Sequence, residues 1–120
     1  MKKKVMIVDD LFYIREEIRE ILEKNGYEVV TEASNGKEAI EKAILFEPDI
    51  ITMDMNMPKI NGIEASRQIK QKMPNIKIIL VSTMAGFSNI KKLGIEVGID
   101  EFISKPFDSS NLIEKIEKLI

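Results

Sequence analysis

Along the chain, short apolar runs alternate with stretches in which apolar residues recur every third or fourth position. The first run, Lys4-Val5-Met6-Ile7-Val8, closes on two carboxylates, Asp9 and Asp10. A strand covered on both faces has this pattern, because neither of its sides meets water. Residues 12–24 then space Ile14, Ile18, Ile21 and Leu22 for one helical face, with Arg15, Glu16, Glu20 and Lys24 turned outward and Gly26 as a C-terminal stop. Glu28 to Ala33 reads as a second strand. Asn35-Gly36-Lys37-Glu38 has the form of a capping box, opening a helix that buries Ala39, Ile40, Ala43 and Ile44 and ends before Pro48.

The alternation continues to the end of the chain. Ile50 to Met53 form a third strand ending at Asp54, followed by a loop from Met55 to Ile60 that contains Pro58. Asn61-Gly62-Ile63-Glu64 starts a helix that stops near Met73-Pro74. Ile76 to Val81 is a fourth strand leading into Ser82-Thr83, and a helix from about Phe87 to Val97 ends at Gly98. Glu101 to Ser104 is a fifth strand, and after Lys105-Pro106 a last helix runs from Asp108 to Ile120. Five βα units with short connections predict an α/β fold: a doubly wound, five-stranded parallel sheet with five helices on its two faces. The expected organisation is a single domain over residues 1–120, with no effector domain.

Composition narrows the chemistry. The 120 residues are 44% hydrophobic and 32% charged, which suits one globular core. There is no Cys, His or Trp, which excludes disulfides, thiol nucleophiles, Cys/His zinc sites and every histidine-containing triad. Eighteen basic against twenty acidic residues leave a net charge of −2, so no broad basic field draws in nucleic acid or an anionic membrane. Only four apolar residues separate Met1-Lys2-Lys3-Lys4 from Asp9, too few for a signal core. The expectation is a cytoplasmic monomer with neither nucleic acid nor membrane as partner.

In open parallel sheets ligands bind outside the carboxyl ends of the strands, where strand order reverses. Those ends carry Asp9-Asp10, Asp54, Ser82-Thr83 and Lys105. Clustered carboxylates repel one another and raise each other's pKa unless a cation sits among them. Magnesium suits such oxygen ligands and commonly combines one or two carboxylates with a phosphate, whereas calcium lacks its EF-hand spacing here. Lys105 and the Ser82 hydroxyl supply donors for phosphoryl oxygens, and Asp54 is the candidate nucleophile for an aspartyl phosphate. Each of these residues also has an ordinary role as a cap, strand end or solvated charge. Their joint placement at four strand ends is what points to chemistry.

At these residues the chain resembles a response-regulator receiver domain, a flavodoxin-like fold, and among receivers it is similar to the stand-alone chemotaxis regulators. The matching segments are Val8-Asp9-Asp10, Ala33-Ser34-Asn35-Gly36, Pro48 through Pro58, Asn61-Gly62-Ile63-Glu64 and Lys105-Pro106-Phe107, and the likeness covers residues 3–120. The resemblance implies Asp54 as phosphoacceptor, with magnesium held by Asp10, Asp54 and the Asn56 backbone carbonyl and by Asp9 through water. It implies that Ser82 contacts the phosphoryl group, that Lys105 pairs with it, and that the backbone N–H groups of Met55 and Thr83 complete the cradle. Lys105-Pro106 is expected to be cis. The phosphodonor would be a sensor histidine kinase, which suits a chain without histidine, and both phosphorylation and dephosphorylation would be self-catalysed. The output partner would be the flagellar switch or another downstream protein, with a phosphatase as a further partner. Ser82 and Phe102 take the switch positions; Ser82 keeps the hydroxyl that threonine commonly provides, while Phe102 lacks that of tyrosine. Two alternatives share these residues: a phosphorelay intermediate, and a small magnesium-dependent phosphohydrolase working through an aspartyl phosphate.

Several residues lie beyond the motif. Met53 is expected in the core, with Met55 and Met57 at the rim of the site and Met84 after the hydroxyl pair. Asn56 has the chemistry to orient a water near the acyl phosphate, and Met84 does not. Gly94 inside the fourth helix costs about 1 kcal/mol relative to Ala and marks that helix as the most labile of the five.

Overall fold

Successive residues of a strand face opposite ways, and here both directions are apolar. A computed structural model describes residues 2–120. Strands β1 (Lys4–Val8), β2 (Glu28–Ala33), β3 (Ile50–Asp54), β4 (Lys77–Ser82) and β5 (Glu101–Ser104) form one parallel sheet in the order β2-β1-β3-β4-β5. They alternate with helices α1 (Phe12–Lys24), α2 (Gly36–Phe46), α3 (Gly62–Lys72), α4 (Ser88–Val97) and α5 (Ser109–Glu117). The predicted doubly wound fold is therefore the observed one.

The two faces of the sheet own separate cores. Met6, Val8, Ile51, Met53, Ile78 and Leu80 meet Ala39 and Ala43 of α2, Ala65 and Ile69 of α3, and Ile90 of α4. Val5, Ile7, Ile50, Ile79 and Val81 meet Ile18 and Leu22 of α1 and Leu112 and Ile116 of α5. The central strands β1, β3 and β4 thus read as largely apolar runs because they feed both cores in turn, whereas the edge strand β2, Glu28-Val29-Val30-Thr31-Glu32-Ala33, alternates polar positions among them. Helix starts are fixed locally: the Asn35 side chain accepts from the Glu38 N–H at 2.8 Å, while Glu38 Oε1 accepts from the Ser34 N–H at 3.1 Å. Asn61 and Asp108 cap α3 and α5 in the same way, accepting from the N–H of Glu64 and of Asn111.

The structure departs from the sequence reading at a few positions. Ile44 is 48% exposed rather than buried, because α2 rests on Ala39 and Ala43 and its last turn swings Ile44 off the sheet. Arg15 does not point outward: its side chain is 14% exposed, drawn against the sheet edge by Glu32 of β2. Met55 and Met57 join the core beneath α2, α3 and α4 instead of rimming the site. Strand β4 begins at Lys77, one residue after the buried Ile76, and α5 spans Ser109–Glu117 within the wider 108–120 range.

Candidate functional site

From β1 the chain crosses to β2 on one side, and from β3 it crosses to β4 on the other, so strand order reverses between β1 and β3. The carboxyl ends of these two neighbours place Asp9, Asp10 and Asp54 together, one carboxylate oxygen of each lying within 4.8 Å of the others. From the end of β5, Lys105 reaches over with Nζ 2.9 Å from Asp9 Oδ2 and 3.2 Å from Asp54 Oδ1. Its main chain is fastened too, since the Lys105 N–H donates to the Ser82 carbonyl at 3.1 Å. The Lys105-Pro106 bond is cis, as expected.

Asp9 and Asp10 are adjacent but differently held. Asp9 is buried and every polar group on it is used: its N–H donates to the Ala33 carbonyl, Oδ1 accepts the Leu11 N–H, Oδ2 accepts Lys105, and its carbonyl accepts Arg15 Nη1. Asp10 is exposed, and its carboxylate takes no hydrogen bond from the described residues. Asp54 lies between them in burial and faces solvent only at its rim, with 5% exposure.

Three carboxylates against one ammonium leave the cluster short of positive charge. Burial, and after it the charge of Asp9, push the Asp54 carboxyl up to about 6, although Lys105 pulls the other way. Burial lowers the Lys105 ammonium, but its hydrogen bonds and ion pairs with Asp9 and Asp54 outweigh that, so its pKa lies above the ordinary lysine value. An oxygen-rich, anionic, partly open cluster has the chemistry to take a hard divalent cation. These residues fit magnesium.

Around the cluster, the loop after β3 is held by the Gly62 N–H, which donates to the Met55 carbonyl at 2.9 Å. The approach is so close that a Cβ on Gly62 would collide with the Asp54 carbonyl oxygen. Asn56 follows in that loop and is exposed. Asp54 pairs with Val81 across the sheet, so Ser82 sits one step beyond it on the neighbouring strand. Ser82 is buried, its Oγ accepts the Met84 N–H at 3.0 Å, and Thr83 is exposed beside it. Met84 is half-buried against the α2-α3-α4 core.

Phe102 pairs with Leu80, and Ser104 with Ser82. Ser82 and Phe102 therefore stand on the same face of the sheet, beneath α4. The Phe102 ring is half-buried and rests on Gly94, where an added Cβ would come within 2.6 Å of the ring.

The predicted site residues thus converge at one sheet edge, with Phe102 farther along the α4 side. Sequence reasoning passed over three others. Gly62 read as part of a helix start, and Gly94 as a weak point. Arg15 read as surface charge, and only its position opposite Glu32 could have signalled more.

A carboxylate triad, a strand-end lysine and a buried hydroxyl on this topology define a class. The chain belongs to the response regulator receiver domain family, whose model matches residues 5–117. It is a signalling module and not a classical enzyme. It is 44% identical to the chemotaxis protein CheY of Thermotoga maritima, over 99% of this chain and 98% of that protein. It is 42% identical to CheY of Bacillus subtilis, over 100% of this chain and 99% of that one. Among solved structures, the crystal structure of a CheX-CheY-BeF3-Mg2+ complex from Borrelia burgdorferi superposes with a TM-score of 0.93 at 28% identity, over 98% of this chain and 88% of that one. None of the described helices is long and apolar enough to cross a membrane.

Proposed function

We propose that this protein is a response regulator of the chemotaxis type, which accepts a phosphoryl group on Asp54 from the phosphohistidine of a sensor kinase. The observation that carries the reading is Asp54 itself, a buried carboxylate held 3.2 Å from Lys105 and beside two further acids at the switch point of the sheet. An Asp54 carboxylate oxygen attacks phosphorus, the new P–O bond forms as the P–N bond to the donor breaks, and the imidazole nitrogen leaves with the electron pair. Lys105 meets the phosphoryl oxygens in exchange for its present contact with Asp54, and the N–H groups of Met55 and Thr83 add neutral donors. Asp10, Asp54, the Asn56 carbonyl and Asp9 would hold magnesium, which would supply charge neutralisation between the carboxylates and the incoming group.

Ser82 gives up its bond to the Met84 N–H and turns to the phosphoryl oxygen. The space it vacates lies on the α4 side of the sheet, where the Phe102 ring rests, so the ring and α4 carry the signal outward. Output through the flagellar switch or an equivalent partner follows from the likeness to chemotaxis proteins. The CheX-CheY-BeF3-Mg2+ complex of Borrelia burgdorferi supports a further partner protein that binds this kind of module. Incubation with magnesium and acetyl phosphate, read by intact mass, should give one phosphate adduct that is absent from Asp54→Ala. Rapid multiple turnover of varied phosphomonoesters would instead make the chain a hydrolase.

A further inference from the structure

Arg15 makes two contacts that a surface arginine on a first helical turn has no need of. Its Nη1 donates to the Asp9 carbonyl at 2.6 Å, and its Nε donates to Glu32 Oε1 at 2.9 Å. The Asp9 carbonyl belongs to the peptide that joins Asp9 to Asp10. Gripping it sets the plane of that peptide and hence the direction in which Asp10 leaves the strand. Asp10 has no side-chain tether among the described residues, so its carboxylate is aimed by its backbone.

The grip is itself braced. Glu32 Oε2 accepts from Arg19, one turn along α1, at 2.6 Å, and the Glu32 backbone carbonyl accepts from Lys42 Nζ of α2 at 2.6 Å, so both the side chain and the main chain of the residue that holds Arg15 are fixed. The Phe12 ring lies 5.6 Å from the Arg15 guanidinium and covers it. Because Glu32 and Glu23 together balance Arg15 and Arg19, the arginine holds the carbonyl without presenting a free positive charge to an incoming cation. An unpaired guanidinium at this distance would repel the ion that the aspartates attract.

We propose that Arg15, braced by Glu32, is a positioning residue for the cation site: it holds the Asp9–Asp10 peptide so that the Asp10 carboxylate converges on Asp9 and Asp54. This rests on the magnesium reading above. Outer contacts that orient ligands commonly change metal affinity by about 10–100-fold when removed.

The test is calorimetric titration of magnesium into the wild-type protein, Arg15→Met, Glu32→Gln and Lys70→Met, with thermal unfolding of each measured in chelator. Arg15→Met should bind magnesium about tenfold more weakly. Glu32→Gln should weaken binding in the same direction by less, and it carries the comparison if Arg15→Met fails to fold. Lys70→Met removes an ion pair to Asp100, before β5, that touches neither Arg15, Glu32 nor Asp9, and should lower the unfolding temperature while leaving affinity within about twofold of wild type. The proposal is overturned if the Arg15 and Glu32 variants bind magnesium as tightly as wild type, or if Lys70→Met weakens binding as much as Arg15→Met. Absence of saturable binding by the wild-type protein would remove the magnesium reading itself, a separate result that the variants are not needed to see.

Discussion

Gly94 on α4 and Phe102 on β5 occupy a space that admits the ring or a methyl group, but not both: a Cβ at position 94 would stand 2.6 Å from Cε2 and Cζ of the ring. The glycine gives up helix propensity so that the aromatic can lie on bare backbone. Ring and helix are thereby coupled, since neither moves inward without displacing the other.

Two opposing effects of known size make this testable. Gly94→Ala gains about 1 kcal/mol of helix propensity and meets an overlap that costs about 1–3 kcal/mol. In the wild-type background it should destabilise by about 0–2 kcal/mol, whereas in a Phe102→Ala background the propensity gain is unmasked and the same change should stabilise. Denaturant unfolding of the four proteins measures both signs. Equal effects in the two backgrounds would mean that the ring and the glycine are not coupled.

Asp54 gives a pH dependence whose sign follows from its environment. Its carboxyl rises from the ordinary value of 3.8 to about 6 in the folded protein, through burial first and then the charge of Asp9. The native state therefore holds a proton that the unfolded state has lost between about pH 4 and 6, and stability falls as pH rises through that window. Asp54→Asn should stabilise the metal-free protein by about 2 kcal/mol at pH 7, somewhat below the full value of the shift because water at the rim screens part of it. The gain should vanish below about pH 4, where the native carboxyl is already neutral. Thermal melts of both proteins across this range, in chelator, check it.

Protons and a divalent cation compete for the same oxygens. Magnesium affinity should accordingly drop as pH falls below about 6, the value to which Asp54 is raised. Affinity that stays flat from pH 7 to 5 would place the ion away from Asp54.

Lys105 is the only cation among the described residues paired with the carboxylates of Asp9 and Asp54, at 2.9 and 3.2 Å. Lys105→Met removes it while keeping a long apolar stem. The Asp54 carboxyl should then titrate higher still, and phosphorylation by acetyl phosphate should slow by about tenfold or more, the scale for losing one preorganised charge at such a centre. NMR titration of the carboxyl carbon and the rate of adduct formation are the two readouts.

Asn56 is exposed in the loop after β3, two residues from the acceptor. Asn56→Ala should change the lifetime of the phosphorylated form while leaving the unfolding midpoint within about 0.5 kcal/mol of wild type. A lifetime equal to wild type would show that Asn56 does not handle the attacking water.

The fold was legible because its signals are local and repeated. Continuous apolar runs such as Val5-Met6-Ile7-Val8 arise from burial on both faces, and Asn35, Asn61 and Asp108 mark helix starts by chemistry that acts over three residues. The charged site was legible for a related reason, since carboxylates, lysine and serine at successive strand ends have to meet on this topology. What sequence hid was side-chain reach and close approach. Arg15 looked solvated until Glu32, seventeen residues away in sequence, was seen beside it. Met55 and Met57 looked like rim residues because loops are commonly exposed, yet this loop folds back under α3 through the Gly62–Met55 hydrogen bond. Gly94 reads as a weak helix position in any one-dimensional scale, and only Phe102 gives it a purpose.

The central claim is that Asp54 carries the phosphoryl group. Borohydride reduction after treatment with acetyl phosphate and magnesium converts an aspartyl phosphate to homoserine, which peptide mass mapping locates. The account predicts homoserine at position 54 and nowhere else, lost when magnesium is chelated before the donor is added. Reduction at Asp9 or Asp10, or a stable phosphate on Ser82 or Thr83, would contradict it.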